Sequence, residues 1–227
     1  MSVAKKLQPI TETSCLVNVM HEILVDRWNK GIPSAAICPT QRLETHVGFD
    51  VAIPDFEKLL VLQFKAYKRY RYKALDYFAI SHNQHNTLLK YPTNCAFYVF
   101  PDYKTHSQMV MDRFLEYLGQ HYKILNNTWF VDTHSIPRGT KKVLRNQLAT
   151  GVIPSLRWSG LSKMIVECEV GIRIVKIKQQ YRLLDTKEEE VEILEMPRGT
   201  FSFFYTKTKS VHGKGRDQNA RVKVTFT

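Results

Sequence analysis

The segment VGFDVAIPDFEKLLVLQFK, residues 47–65, constrains the fold of this chain more than any other stretch. Two apolar runs flank the charged turn PDFEK, and this pattern predicts an antiparallel hairpin of 47–54 with 58–65. The favoured register sets Asp55 opposite Lys58, because a slip of one residue would move every side chain to the other face. In that register one face is wholly apolar: Phe49, Val51, Ile53, Leu60, Leu62 and Phe64.

The same register gathers polar side chains at one end of the opposite face. Asp50 falls opposite Gln63, and Lys65 follows on that face because side chains alternate along a strand. Glu44 ends a short helix predicted over 39–46 and precedes Asp50 by only six positions, so it can reach the same place. We therefore expect two carboxylates, an amide and an ammonium group to converge.

A carboxylate pair beside a lysine suits the hydrolysis of phosphodiester bonds. Carboxylate and carbonyl oxygens are the ligands that Mg²⁺ prefers, and the ion generates a nucleophile from water and neutralises charge on the phosphate. A lysine ammonium can orient the water or stabilise the pentacovalent phosphorus. The alternative interpretation is an exposed hairpin face with solvated Asp, Gln and Lys, which is ordinary on antiparallel sheets.

Hydrophobic periodicity predicts an α/β fold, with α and β elements around a mixed sheet. The expected order begins helix, three strands, helix, strand, and Ser81 with Gln84 predicts a capping box at the second helix. We expect a core over 1–135 with a β-rich C-terminal extension over 136–227 packed on it, or one domain throughout. The predicted elements are helices over 11–30, 81–90 and 105–122 (Met109, Phe114 and Leu118 on one face), strands over 47–54, 58–65, 75–80, 94–101, 164–177 and 201–209, and a solvated turn over 186–192.

At the proposed site the chain resembles a known family. The spacing of Glu44, Asp50, Gln63 and Lys65 resembles the Q-x-K variant of the PD-(D/E)XK nuclease superfamily. Its restriction-endonuclease-like fold has an αβββαβ core, and the resemblance covers roughly residues 15–104. The segments GFD and LQFK are most similar to the Mrr-like branch of restriction and prokaryotic defence nucleases.

This resemblance implies a metal-dependent endonuclease that cuts DNA in restriction or anti-phage defence, beside a partner protein of such a system. Asp50 and Glu44 would bind Mg²⁺, for which Mn²⁺ would substitute, and the Phe64 backbone carbonyl would complete the metal site. Lys65 would be catalytic. Gln63 departs from the acid usual at its position and makes the site depend more on Glu44. The alternative is an inactive nuclease-like module that holds nucleic acid for a partner effector.

The charge of the chain favours a polyanionic partner. Its 33 Lys and Arg against 21 Asp and Glu give a net charge of +12, which is typical of nucleic-acid binding. The segment 65–73 interleaves basic residues with tyrosines, and 207–223 is a DNA-contacting loop or a mobile basic hairpin. We expect contacts to nucleic acid, with DNA favoured over RNA, from Lys68, Arg69, Arg71, Lys73, Lys214 and Arg216.

Other features of the sequence exclude several function classes. No apolar run approaches the length needed to span a membrane, and the first residues lack the apolar stretch of a signal peptide, so a cytoplasmic location is expected. The four scattered cysteines predict buried free thiols. No glycine-rich phosphate loop is present, so the sequence does not support ATP-driven or nicotinamide chemistry.

Overall fold

The structure is a computed structural model that describes most of the chain between residues 9 and 209. The described residues are 9–32, 34–39, 44, 47–55, 58–69, 76–117, 119, 123–167, 169–177, 180–184, 190–193 and 205–209. The helices are α1 (Glu12–Asn29), α2 (His82–Leu88), α3 (His106–Tyr117), α4 (Lys123–Asn126), α5 (Arg145–Ala149) and α6 (Trp158–Val166). The strands are β1 (Val51–Asp55), β2 (Lys58–Phe64), β3 (Tyr67–Arg69), β4 (Asp76–Ala79), β5 (Ala96–Pro101), β6 (Thr128–Asp132), β7 (Lys142–Leu144), β8 (Ile172–Ile177), β9 (Gln180–Leu184), β10 (Glu190–Ile193) and β11 (Tyr205–Lys209).

The main sheet is organised around β2. Its order is β11-β10-β9-β8-β2-β5-β6, and β1 also pairs with β2, which makes eight strands. The β2–β5 pair is parallel, whereas β1, β8 and the other neighbours pair antiparallel. A second sheet of three antiparallel strands has the order β3-β4-β7. The mixed α+β architecture predicted from the sequence is therefore confirmed.

The predicted hairpin register is confirmed by the pairing of β1 with β2. Val51 lies opposite Leu62 and Asp55 opposite Lys58, so the two strands are aligned as the apolar pattern requires. One apolar residue was assigned to the wrong face. Phe49 precedes β1, where the strand alternation is interrupted at Asp50, and its ring packs edge-on against Tyr91 at 6.3 Å between centroids.

Both faces of the sheet are buried along β1, β2, β5 and β6, in the residues whose burial the structure describes. One face packs under α1 and contains Val51, Ile53, Leu60, Leu62 and Phe64 with the helix residues Val19 and Ile23. The other face contains Val47, Phe49, Ala52, Leu59 and Val61 with Leu88 and Tyr91. The alternative of a solvated hairpin face is therefore wrong, because Gln63 and Lys65 are 0% and 6% exposed.

The count of three strands before α2 is wrong. Four strands, β1 to β4, lie between α1 and α2, and the predicted strand at 75–80 is β4 in the second sheet. The additional strand is β3, at the start of the basic and aromatic segment. Tyr67 is buried there and stacks on Phe78 at 4.4 Å between ring centroids, so the apolar bodies of the aromatic residues hold the two strands together.

Several other expectations are corrected by the structure. Phe114 was placed on the buried face of its helix but is 55% exposed, whereas Met109 is buried as predicted. The first residues of the predicted strand 164–177 continue α6, and β8 begins at Ile172 after the left-handed Gly171 (φ 87°). The end of the predicted turn 186–192 belongs to β10, and Cys38 is exposed.

The C-terminal part of the chain contributes strands to both sheets. β7 pairs with β4, and β8 pairs with the first residues of β2 through Arg173 opposite Lys58. The strand predicted at 201–209 is described as β11 over its last residues. No helix in the described part of the chain is both long and apolar enough to cross a membrane.

The two-sided burial of the main sheet can be tested with a matched pair of substitutions. Phe97→Ala removes a ring that is 1% exposed beneath α1, and we expect it to lower the free energy of unfolding by about 3–5 kcal/mol. Phe114→Ala removes an exposed ring and should change that free energy by less than about 0.5 kcal/mol. Urea denaturation of the two variants measures both, and equal losses would contradict the packing described here.

Candidate active site

Asp50 is held at the end of β2 by two hydrogen bonds to its carboxylate. Its Oδ2 atom accepts from the Phe64 backbone N–H at 2.7 Å and from Gln63 Nε2 at 2.7 Å. The Asp50 backbone N–H donates to the Leu62 carbonyl at 3.1 Å, which extends the hairpin pairing beyond β1. The carboxylate is therefore fixed beside Gln63, where the sequence register places it.

Gln63 is fully buried and its amide is saturated with partners. Besides Asp50, Nε2 donates to the Phe64 carbonyl at 3.1 Å, and Oε1 accepts from Gln84 Nε2 at 2.7 Å. The capping box predicted for Ser81 and Gln84 is wrong, because the Ser81 side chain makes no capping hydrogen bond. Leaving a buried amide oxygen unpaired costs more than losing a cap at an exposed helix end, and this explains the use of Gln84.

Lys65 follows β2 and is only 6% exposed. Its backbone N–H donates to the Val99 carbonyl at 3.0 Å, and its Nζ lies 3.7 Å from Glu12 Oε1 in the first turn of α1. The ammonium also acts on Asp50 electrostatically. A buried ammonium group requires such anionic neighbours, because desolvation penalises an isolated charge.

Glu44 is helical, as predicted for the segment 39–46, of which residues 40–43, 45 and 46 lie outside the described residues. Its carbonyl accepts from the Gly48 N–H at 2.8 Å, and Gly48 has a φ of 77°. A Cβ at position 48 would lie 3.1 Å from Thr87 Cβ and 3.3 Å from the Gln84 carbonyl oxygen, so glycine also permits α2 to come close. The side chain of Glu44 is half-buried, and its charge reaches the Asp50 carboxylate.

The environment of Asp50 shifts its affinity for protons. The pKa of Asp50 is raised from an ordinary value of 3.8 to about 6, mainly by burial and also by the charge of Glu44. The Phe64 N–H, Lys65 and Gln63 oppose the shift, since each stabilises the ionised form. The carboxylate is therefore mostly ionised at neutral pH and becomes protonated below about pH 6.

The donor atoms of this site suit a small, hard cation. The Gln63 amide nitrogen hydrogen-bonds both the Asp50 carboxylate and the Phe64 carbonyl, so these two oxygens lie close to each other. A cation that replaced this nitrogen could therefore contact both oxygens. Among the described residues, the hydrogen bonds to the Asp50 carboxylate all end at Oδ2, and Oδ1 remains available to a ligand. No group of three or more His, Cys, Asp and Glu residues suited to a metal occurs in that part of the chain. Asp50 and Glu44 are the two carboxylates that could hold a Mg²⁺ ion here, together with neutral oxygens and water.

Two residues near the site were not predicted from the sequence. Glu12 comes from α1, 53 positions before Lys65, and its only sequence signal is an acid in the first turn of a helix. Gln84 was assigned to a helix cap. Both are brought to β2 by tertiary packing, which strand alternation does not encode.

The predicted nucleic-acid contacts are described in part. Lys68 is exposed on β3, and its Cα partner on β4 is Tyr77. Arg69 pairs through its backbone with Asp76, whereas Arg71, Lys73, Lys214 and Arg216 lie outside the described residues. The structure adds Lys142, whose Nζ lies 4.8 Å from the centroid of the Tyr77 ring.

The raised pKa of Asp50 predicts a pH-dependent cost in stability. Because the folded-state pKa is raised to about 6, the contribution of this group to stability is full below about pH 4 and is lost as the pH rises through 6. Asp50→Asn does not titrate, and we expect it to be more stable than the wild type above pH 6, by about 1–3 kcal/mol. Denaturant unfolding at pH 4 and pH 8 measures this difference, with the exposed Glu169→Gln as control.

If Asp50→Asn raises the free energy of unfolding by the same amount at pH 4 and at pH 8, the prediction is wrong. Only ionisation of the Asp50 carboxylate makes the effect differ between the two pH values. The control should track the wild type at both values, since Glu169 is exposed.

Comparisons with known proteins give no relative on which to base a function. No family model, no curated protein and no solved structure matches this chain.

Proposed function

We propose that this protein is a Mg²⁺-dependent nuclease that hydrolyses phosphodiester bonds in DNA. The observation that carries the proposal is the convergence of Asp50, Gln63 and Lys65 at the end of β2. Gln63 and Lys65 are 0% and 6% exposed, and Asp50 is bonded to Gln63 and to the backbone of Phe64. Ionisable and amide groups buried together in this way are characteristic of functional sites.

Buried polar groups at these positions are costly for the fold. Apolar side chains at the end of an interior strand would extend the core, whereas an ionised carboxylate and an ammonium group lose hydration there. The raised pKa of Asp50 is a direct sign of this cost. Natural proteins retain such costs where activity requires them, which supports a catalytic or ligand-binding role.

Each residue has a role in the proposed reaction. Asp50, Glu44 and the Phe64 carbonyl would hold the ion, which supplies activation of water and neutralisation of charge on the phosphate. The Lys65 ammonium, a compact charge with three donors, would orient the attacking water and stabilise the additional negative charge on the phosphoryl oxygens. Glu12 would hold Lys65 in place through its carboxylate, 3.7 Å from Nζ.

The charge of the chain supports a nucleic-acid substrate. A net charge of +12 attracts the phosphate backbone, and Lys68 and Lys142 lie on the exposed side of the second sheet. The resemblance to Mrr-like nucleases favours DNA over RNA, a restriction or anti-phage role, and a partner protein from such a system. That role would place the protein in the cytoplasm.

A second candidate function is a nuclease-like module that binds nucleic acid without cutting it. The Gln63 amide favours this candidate, because its NH₂ group already hydrogen-bonds the Asp50 carboxylate and the Phe64 carbonyl. The two oxygens most suited to a cation are thus satisfied by the protein itself. A measurement of cleavage separates the two candidates.

We expect purified protein to nick or linearise plasmid DNA with Mg²⁺ or Mn²⁺ and to leave it intact in EDTA. Lys65→Met preserves side-chain volume at this buried position and should lower the cleavage rate by about 100-fold or more, because it removes the charged donor. Lys163→Met, at an exposed position on α6, makes the same chemical change away from the site and should retain the wild-type rate. If Lys65→Met cuts DNA at the rate of the wild type, the nuclease assignment is refuted. If the wild-type protein cuts DNA with neither metal ion, the second candidate is favoured.

Binding to DNA should persist without metal and should weaken steeply with salt, because each neutralised phosphate releases counterions. We expect the affinity to fall by orders of magnitude between about 50 and 200 mM salt. Lys68→Ala and Lys142→Ala should each reduce the slope of log affinity against log salt by about 1. Fluorescence anisotropy with a labelled duplex measures the slope, and a salt-independent affinity would contradict nucleic-acid binding through these charges.

A further inference from the structure

We propose that Gln84 sets the orientation of the Gln63 amide, and that the two amides reverse together when a divalent cation binds at Asp50. The proposal rests on the cation site of the proposed function, although it does not require that the protein cuts DNA. It assigns to Gln84 a positioning role, through an amide that contacts the site only by way of Gln63.

The present orientation of Gln63 is fixed by its neighbours. Its nitrogen lies 2.7 Å from Asp50 Oδ2 and 3.1 Å from the Phe64 carbonyl oxygen, and both of these atoms can only accept. That end of the amide must therefore be the NH₂ group, and Oε1 must point to Gln84 Nε2 at 2.7 Å. The NH₂ group thus supplies the positive end of a dipole between two oxygens.

A cation at Asp50 would compete with this NH₂ group. A cation that bridges Asp50 Oδ2 and the Phe64 carbonyl would need the lone pairs to which this NH₂ group donates, and a metal ion and an N–H donor cannot occupy the same place. Rotation of the Gln63 amide by half a turn would remove the competing donor and present Oε1, a neutral oxygen ligand. The shape of the side chain is unchanged, so the surrounding core need not move.

Gln63 cannot make this change alone. It is fully buried, so water does not replace a lost partner, and its reversed NH₂ group would face the NH₂ group of Gln84. Gln84 must reverse as well, in order to present its own oxygen as an acceptor. An amide at position 84 can serve both orientations, whereas a carboxylate can only accept and an ammonium can only donate.

This dependence gives opposite expectations for two substitutions of Gln84. Gln84→Glu provides only an acceptor, stabilises the reversed Gln63 and should tighten Mn²⁺ binding roughly tenfold. Gln84→Lys provides only donors, stabilises the present Gln63 and should weaken Mn²⁺ binding by a similar factor. A residue that only supports packing would produce losses in both variants.

Added charge alone also changes cation affinity, and the neighbouring residue provides the control. Asn83 precedes Gln84 on α2 and is exposed, so Asn83→Glu and Asn83→Lys add the same charges without a partner in the site. We expect these controls to change Mn²⁺ affinity by less than about threefold, because charges in water are screened. Gln63→Met removes the amide that transmits the effect, and in that background Gln84→Glu should act no more strongly than Asn83→Glu.

Circular dichroism first shows that each variant is folded. Isothermal titration calorimetry then measures the affinity of each full-length variant for Mn²⁺. Opposite changes at position 84 that exceed those at position 83 and vanish in Gln63→Met support the inference, whether or not DNA is cut. Equal changes at the two positions, or losses in both Gln84 variants, overturn it even if cleavage is observed. Failure of the wild type to bind Mn²⁺ at millimolar concentration also overturns it.

Discussion

The pairing of β2 along both edges determines much of this molecule. β1 aligns with it through the hairpin, β5 runs parallel to it, and β8 joins at its first residues. Because both faces of the strand are covered, every side chain on it must either be apolar or find partners within the protein. The polar residues at its end are therefore held by hydrogen bonds from the hairpin and α2 and by an ion pair with α1.

These polar residues give the site an internal balance of charge. The Lys65 ammonium interacts with the charges of both Asp50 and Glu12, while the amides of Gln63 and Gln84 hydrogen-bond each other and the Asp50 carboxylate. Side chains held by such tertiary contacts favour accurate positioning of a phosphate group. The cost of the site is a carboxylate whose pKa has been raised by burial to about 6.

The sequence predicted the parts of the fold that depend on local pattern. The hairpin register, in which Val51 lies opposite Leu62, followed from the alternation of apolar residues along the two strands. Helix α1 followed from apolar residues at helical spacing, and β5 from a continuous apolar run. Phe49 was assigned to the wrong face because strand alternation does not extend to the residues that precede β1. The strand β3 was not predicted because a tyrosine among basic residues is equally typical of an exposed segment. Glu12 and Gln84 could not have been assigned, since their roles arise only when α1 and α2 pack against β2.

The position of β8 has a consequence for the growing chain during synthesis. The edge of β2 at Lys58 and Leu59 is covered by Arg173 and Ile172, which are made more than 110 residues later. Until they emerge from the ribosome, those backbone donors and acceptors remain available to other chains, as at any open strand edge. Nascent protein of this kind is therefore exposed to mispairing throughout that interval of its synthesis, and chaperone binding to this edge would protect it.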